Sequence, residues 1–89
     1  MFVLLLWPEN RSVPSQKPAP NQHRSTFGRN VNRLRAAKGL TQEKLAEKAS
    51  LSARYVQSIE AGEYFPSLPA LVKLKSTLKV SWDEMFAGL

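Results

Sequence analysis

Two short amphipathic segments, separated by only a few residues, constrain this chain more than anything else in it. They occupy Thr41-Gln42-Glu43-Lys44-Leu45-Ala46-Glu47-Lys48-Ala49-Ser50-Leu51-Ser52-Ala53-Arg54-Tyr55-Val56-Gln57-Ser58-Ile59-Glu60-Ala61-Gly62. Leu45 and Ala46 fall on one face of a first helix, and Val56 and Ile59 on one face of a second. Thr41 and Ser52 stand where N-caps belong, and Gly62 stands where the second helix stops. Ala46 is small, and two helices that cross steeply need a short side chain at their contact. Ala53, Arg54, Gln57 and Ser58 are left toward the outside of the second helix. The arrangement is a helix-turn-helix: one helix braced by another so that its polar flank can face a nucleic-acid groove.

The same spacing rules extend the pattern in both directions. From Thr26 onward, Phe27, Val31 and Leu34 recur at i, i+4 and i+7, one face of a helix that Gly39 ends. Leu51 adds to the brace between the two helices of the pair. After Gly62, Pro66 breaks the chain and Ser67 caps a fourth helix with Leu71, Leu74 and Leu78 inward. Pro69 falls in its first turn, where a missing N–H does no harm. Ser81-Trp82-Asp83-Glu84 has the spacing of a capping box and starts a short fifth helix carrying Trp82, Met85 and Phe86. Trp82 is expected in the core. Met85, Phe86 and Leu89 are expected to be exposed as a dimer seam, because large apolar residues near a chain end need a partner. No strand pattern and no internal repeat is present. The predicted fold is all-α, a compact five-helix domain over residues 25–89.

Residues 1–24 differ in composition. Four of the six prolines (Pro8, Pro14, Pro18, Pro20) lie there among Ser, Asn and Gln, and proline blocks helix interiors. The segment is expected to be a disordered leader. Phe2-Val3-Leu4-Leu5-Leu6-Trp7 is apolar but far shorter than the ~20 residues a membrane-spanning helix needs. It lacks a basic start and a small-residue cleavage site, so no secretory signal is expected. A second reading has this run dock on the domain or on another subunit, and a start codon assigned too early is a third.

The chain has 89 residues and a net charge of +6. From Arg24 onward 11 basic residues oppose 6 acidic ones, so the excess of +5 belongs to the folded part. Such a balance suits a polyanion. The absence of cysteine excludes disulfides and thiolate metal sites and fits a reducing cytoplasm. The single histidine, His23, has no partner ligand nearby, so no metal and no cofactor are expected.

An α-helix fits the B-DNA major groove, roughly 12 Å wide. Arginine makes a bidentate contact to guanine, and glutamine to adenine. Gln42, at the start of the first helix of the pair, offers a free backbone donor and an amide to a phosphate. Leu40-Thr41-Gln42-Glu43-Lys44-Leu45-Ala46, followed by Ile59-Glu60-Ala61-Gly62 and Pro66-Ser67-Leu68, resembles the phage repressor and Cro helix-turn-helix family, also called Xre-like. The resemblance covers about residues 27–87. It implies a five-helix domain that binds operator DNA as a dimer with the third helix in the major groove.

On that resemblance, Gln42 matches a phosphate-anchoring glutamine, and with Thr41 forms the expected backbone contact. Ala53, Arg54 and Ser58 fall at base-reading positions, and Gln57 at a neighbouring one. Arg35 and Glu60 match a structural ion pair between the first and third helices. The sequence departs from the family pattern in three places. Ser50 occupies a turn position usually held by glycine. Ala53 offers no side-chain hydrogen bond, only contact with a thymine methyl. Glu63-Tyr64-Phe65 replaces a basic or asparagine-rich loop.

The leading reading is a sequence-specific, double-stranded DNA-binding transcriptional regulator, a homodimer on a palindromic operator and not an enzyme. The chain has no phosphate-binding glycine loop, no metal cluster and no serine or cysteine paired with histidine in a folded region. The alternative is an antitoxin-type interaction module that binds a partner protein such as a toxin; RNA polymerase is a candidate partner of the regulator. No membrane partner is expected.

Overall fold

The computed structural model describes residues 20–89, so the leading apolar run Phe2–Trp7 lies outside the described residues. Five helices follow one another: α1 (Pro20–Ala37), α2 (Gln42–Ala49), α3 (Ala53–Glu60), α4 (Leu68–Leu78) and α5 (Trp82–Met85). There is no strand among the described residues, and none of the described helices is long and apolar enough to cross a membrane.

Each helix start after the first is set by a hydroxyl. Thr41 Oγ1 accepts the Lys44 N–H at 3.0 Å, Ser52 Oγ the Tyr55 N–H at 3.0 Å, and Ser67 Oγ the Ala70 N–H at 3.3 Å. Ser81 and Glu84 cap reciprocally: Ser81 Oγ accepts the Glu84 N–H at 3.1 Å, while the Ser81 N–H donates to Glu84 Oε1 at 2.8 Å. That backbone donor is the main reason the Glu84 carboxyl lies below the usual carboxylate range. The helix ends are equally local. Gly39, Ser50 and Gly62 adopt left-handed backbone after α1, α2 and α3, and Lys79 does so after α4. At Ser50 (φ 57, ψ 43) the N–H donates to Glu47 O at 3.2 Å and the next N–H, of Leu51, to Ala46 O at 2.8 Å. This closes the last turn of α2 and turns the chain into α3 within three residues.

The core is one apolar cluster. Phe27, Val31, Leu45, Val56, Ile59, Leu74, Leu78 and Met85 are fully buried, with Ala46 and Ala49 at the α2 contacts. α2 packs on α3 and α4, while α1 packs on α3 and α5. Gly28 is what lets α1 come so near α3: a Cβ there would meet the Ile59 carbonyl oxygen and lie 2.7 Å from that of Glu60.

Three expectations are corrected. α1 begins at Pro20 rather than near Thr26, so the helix takes in residues 20–24. No apolar period marks this first turn and a half. It is held instead by a polar contact, Arg24 Nε donating to the Gly62 carbonyl at 3.2 Å. Met85 is 0% exposed and belongs to the core, not to a seam. Asn30, itself buried, donates from Nδ2 to the Met85 carbonyl at 2.8 Å and to that of Ala87 at 2.9 Å, drawing the end of α5 onto α1. Trp82 takes the outer position and is 39% exposed. Its ring stacks on Phe86, with centroids 5.6 Å apart, and lies under the Lys75 ammonium at 5.3 Å.

Two stability measurements check these contacts. Gly28→Ala is expected to destabilise by about 1–3 kcal/mol in urea unfolding, because backbone carbonyls cannot step aside as side chains do. This outweighs alanine's better helix propensity. Ser50→Gly is expected to stabilise by about 1 kcal/mol, by removing the left-handed penalty of a residue with a Cβ.

Candidate nucleic-acid interface

Val56 and Ile59 face the core and pin one side of α3. Opposite them, Arg54 and Gln57 are exposed. Ala53 sits at the first turn, half-buried and packed against the core cluster. Of the four residues expected on the outward flank, the structure therefore brings three to one accessible side. Ser58 is the exception: it is 5% exposed. Its carbonyl accepts the Glu63 N–H at 2.9 Å, which closes the last turn of α3. Ser58 is thus buried rather than on the outward flank where it was expected. Tyr55, half-buried beside the core, reaches across to the next loop, where its hydroxyl accepts the Ser67 N–H at 3.1 Å.

Thr41 and Gln42 lie together at the start of α2. The Thr41 hydroxyl oxygen is engaged as the helix cap. The Gln42 amide Nε2 donates to Glu60 Oε1 at 3.0 Å. An amide carries two N–H donors, so one remains for a phosphate beside the unpaired backbone N–H groups of the first turn of α2. The positive end of the helix dipole favours an anion at the same place.

Beneath this surface lies the expected Arg35–Glu60 pair. Arg35 Nε donates to Glu60 Oε2 at 2.7 Å and Arg35 Nη2 to Oε1 at 3.0 Å, a two-pronged contact. The side chains are 15% and 4% exposed. A third guanidinium nitrogen, Nη1, donates to the Leu40 carbonyl at 2.7 Å, and Asn32 Nδ2 adds a bond to Glu60 Oε1 at 2.9 Å. Burial alone pushes the Glu60 carboxyl up, but the donors from Arg35, Asn32 and Gln42, with the Arg35 charge, outweigh it and hold it below its ordinary value. The hydrogen bond to Glu60 likewise raises Arg35 against the opposing effect of burial. The role of Asn32 escaped sequence reasoning. Its signal was position: it lies three residues before Arg35, on the same stripe of α1.

The seam residues separate. Phe86 is half-buried and closes an aromatic group with Phe27 (5.8 Å) and Phe65 (6.5 Å), while Phe65 and Leu89 are each 43% exposed. The basic side chains of Arg29, Arg33, Lys38, Lys44 and Lys48 are all exposed. The Lys44–Glu47 pair at 3.3 Å is solvated on both sides and adds little stability.

Comparison with known proteins gives a consistent result. A family profile described as Helix-turn-helix matches residues 31–85. The chain is 39% identical over 62 residues to the uncharacterized HTH-type transcriptional regulator y4dJ of Sinorhizobium fredii, covering 70% of this chain and 80% of that protein. It is 40% identical over 55 residues to the immunity repressor protein of Bacillus phage phi105, covering 62% of this chain but only 38% of the repressor. Among solved structures it resembles the restriction-modification controller protein C.AhdI from Aeromonas hydrophila. There the TM-score is 0.68 and the identity 38%, over 71% of this chain and 96% of that one.

The ion pair gives a pH signature. Because the folded Glu60 carboxyl titrates below its unfolded value of about 4.3, its stabilisation is complete above that pH and is lost as pH falls through the folded value. Urea midpoints measured from pH 7 to pH 2 are expected to fall less steeply in Glu60→Gln than in the unsubstituted chain. At pH 7, Glu60→Ala is expected to destabilise by about 3 kcal/mol, since it leaves the guanidinium of Arg35 largely buried without its counter-charge.

Proposed function

The chain belongs to the helix-turn-helix family, and we propose that this DNA-binding transcriptional regulator reads a two-fold symmetric operator as a homodimer, with α3 in the major groove. The observation that carries this reading is the outward pair Arg54 and Gln57 on a helix whose opposite side is pinned by Val56 and Ile59. On this reading Arg54 donates both prongs to a guanine edge, Gln57 pairs with an adenine edge, and the Ala53 methyl lies against a thymine methyl. Thr41 and Gln42 hold a phosphate at the start of α2, which sets the depth and angle of α3 in the groove. The dimer seam is Phe86 and Leu89, extended by the exposed ring of Trp82; Met85 supports it from within the core. A dimer places two recognition helices one helical turn apart, ~34 Å.

The network under the interface supports this assignment. Gln42 is tied to Glu60 and through it to Arg35, so a phosphate held at the start of α2 is held against α1 and α3 together. Regulation then follows from occupancy of the operator, by blocking polymerase or by touching it from an adjacent site.

A selection for bound duplex from a random pool supplies the ligand, and two substitutions then separate the roles. Arg54→Ala is expected to relax preference at one position of each half-site, by roughly 1–3 kcal/mol, with little change at the others. Gln42→Ala is expected to weaken binding evenly across sequences. It also removes a hydrogen bond to Glu60, so its effect is read at a temperature where the variant is fully folded. Binding that ignores the Arg54→Ala change would show that α3 presents a different flank to DNA.

A further inference from the structure

On another part of the surface, three lysines from three separate helix ends converge. Lys38 follows α1, Lys48 lies in the last turn of α2, and Lys79 follows α4. With Leu40, Ser76 and Thr77 they line one open groove of about 460 Å³. Among the described residues none of the three lysines lies within ion-pair distance of a carboxylate. Glu84 feels the charge of Lys38 but does not line the groove. Lys79 also adopts left-handed backbone (φ 57), where glycine or asparagine is ordinary and a lysine is strained. Three lysine side chains thus border one concave, solvent-open surface.

We propose that this groove is a second phosphate-binding site, separate from the α3 surface. Lysine ammonium groups act as point charges toward phosphate. The hydroxyls of Ser76 and Thr77 supply the neutral donors that phosphate oxygens also accept. Leu40, which lines the groove, leads directly in the chain into Thr41 and Gln42 at the edge of the candidate interface. Two sources present the same anion: the backbone of a duplex beyond the base-read segment, and a free phosphorylated small molecule. The first rests on the DNA-binding reading; the second stands without it.

The test follows the backbone amides of Ser76, Thr77 and Lys79 by NMR in the full ¹⁵N-labelled chain. Three probes are titrated: the selected duplex trimmed to its base-read segment, the same duplex extended by about one helical turn on each side, and sodium pyrophosphate. The proposal expects saturable shifts at these amides with the extended duplex or with pyrophosphate, and not with the trimmed duplex. The extended duplex marks flanking DNA as the source, and pyrophosphate alone marks a small molecule. In the double variant Lys48→Gln, Lys79→Gln those shifts are lost while the unfolding midpoint and the trimmed-duplex affinity are kept. For a DNA source the slope of log affinity against log salt also falls in magnitude by about 2 on the extended duplex. The proposal is overturned if neither the extended duplex nor pyrophosphate moves these amides, or if the double variant binds both as the unsubstituted chain does. A chain that binds no duplex at all defeats the DNA-binding reading, and the pyrophosphate titration still decides for or against the groove.

Discussion

One carboxylate holds three helices in register. Glu60 closes α3, and its two oxygens accept four N–H groups: two from Arg35 and one from Asn32 on α1, and one from Gln42 on α2. Arg35 then reaches the Leu40 carbonyl in the connection between α1 and α2. Apolar burial drives these helices together but is non-directional. Charge-assisted hydrogen bonds with a fixed fork geometry are directional, and a largely buried carboxylate left with open acceptor sites would be costly. The angle at which α3 leaves the domain is therefore set from behind, by the same group that holds Gln42 in place at the front. Structure and candidate function share this one node.

Close approach is the second requirement. Ala46 and Ala49 let α2 sit against its neighbours, and Gly28 lets the α1 backbone reach the carbonyls that end α3. Such a short distance is what allows Arg35 and Asn32 to span to Glu60 without stretching. Small residues and the ion-pair network thus depend on each other: a wider gap would strand the guanidinium, and without the network the tight contact would have little to hold its angle.

Local devices were legible in the sequence because their causes are local. A hydroxyl before a helix, a glycine after it and an apolar repeat of three or four residues each declare themselves within a few positions, and all four hydroxyl caps and the ends at Gly39 and Gly62 are found as expected. The ion pair was legible only through family resemblance, since 25 residues separate its members. Three features were not legible, and each depends on a partner distant in the chain. The first turn of α1 is held by Arg24 reaching Gly62. Met85 is drawn inward, and Trp82 left outside, because Asn30 takes the carbonyls at the end of α5. Ser58 has an ordinary exposed position on a helix drawn in isolation, and becomes buried only in the packed domain.

The burial of Ser58 has an energetic consequence for recognition. It leaves α3 with two exposed long polar side chains, Arg54 and Gln57, and a half-buried methyl from Ala53, for the proposed contact with the groove. A good bidentate contact discriminates by about 1–3 kcal/mol, so one copy of α3 commands roughly 2–6 kcal/mol by direct readout. Specific complexes typically exceed non-specific ones by about 4–10 kcal/mol. A single copy reaches only the lower part of that range, whereas two copies on a symmetric site cover it. On the proposed reading, the poverty of the reading flank favours a second subunit, independently of the exposed ring at Trp82. The same poverty throws weight onto phosphate contacts, which fix register without reading sequence. A chain carrying +5 over residues 24–89, with Gln42 braced through Glu60, suits the division of labour proposed for it: affinity from the backbone of the duplex, selectivity from a few side chains.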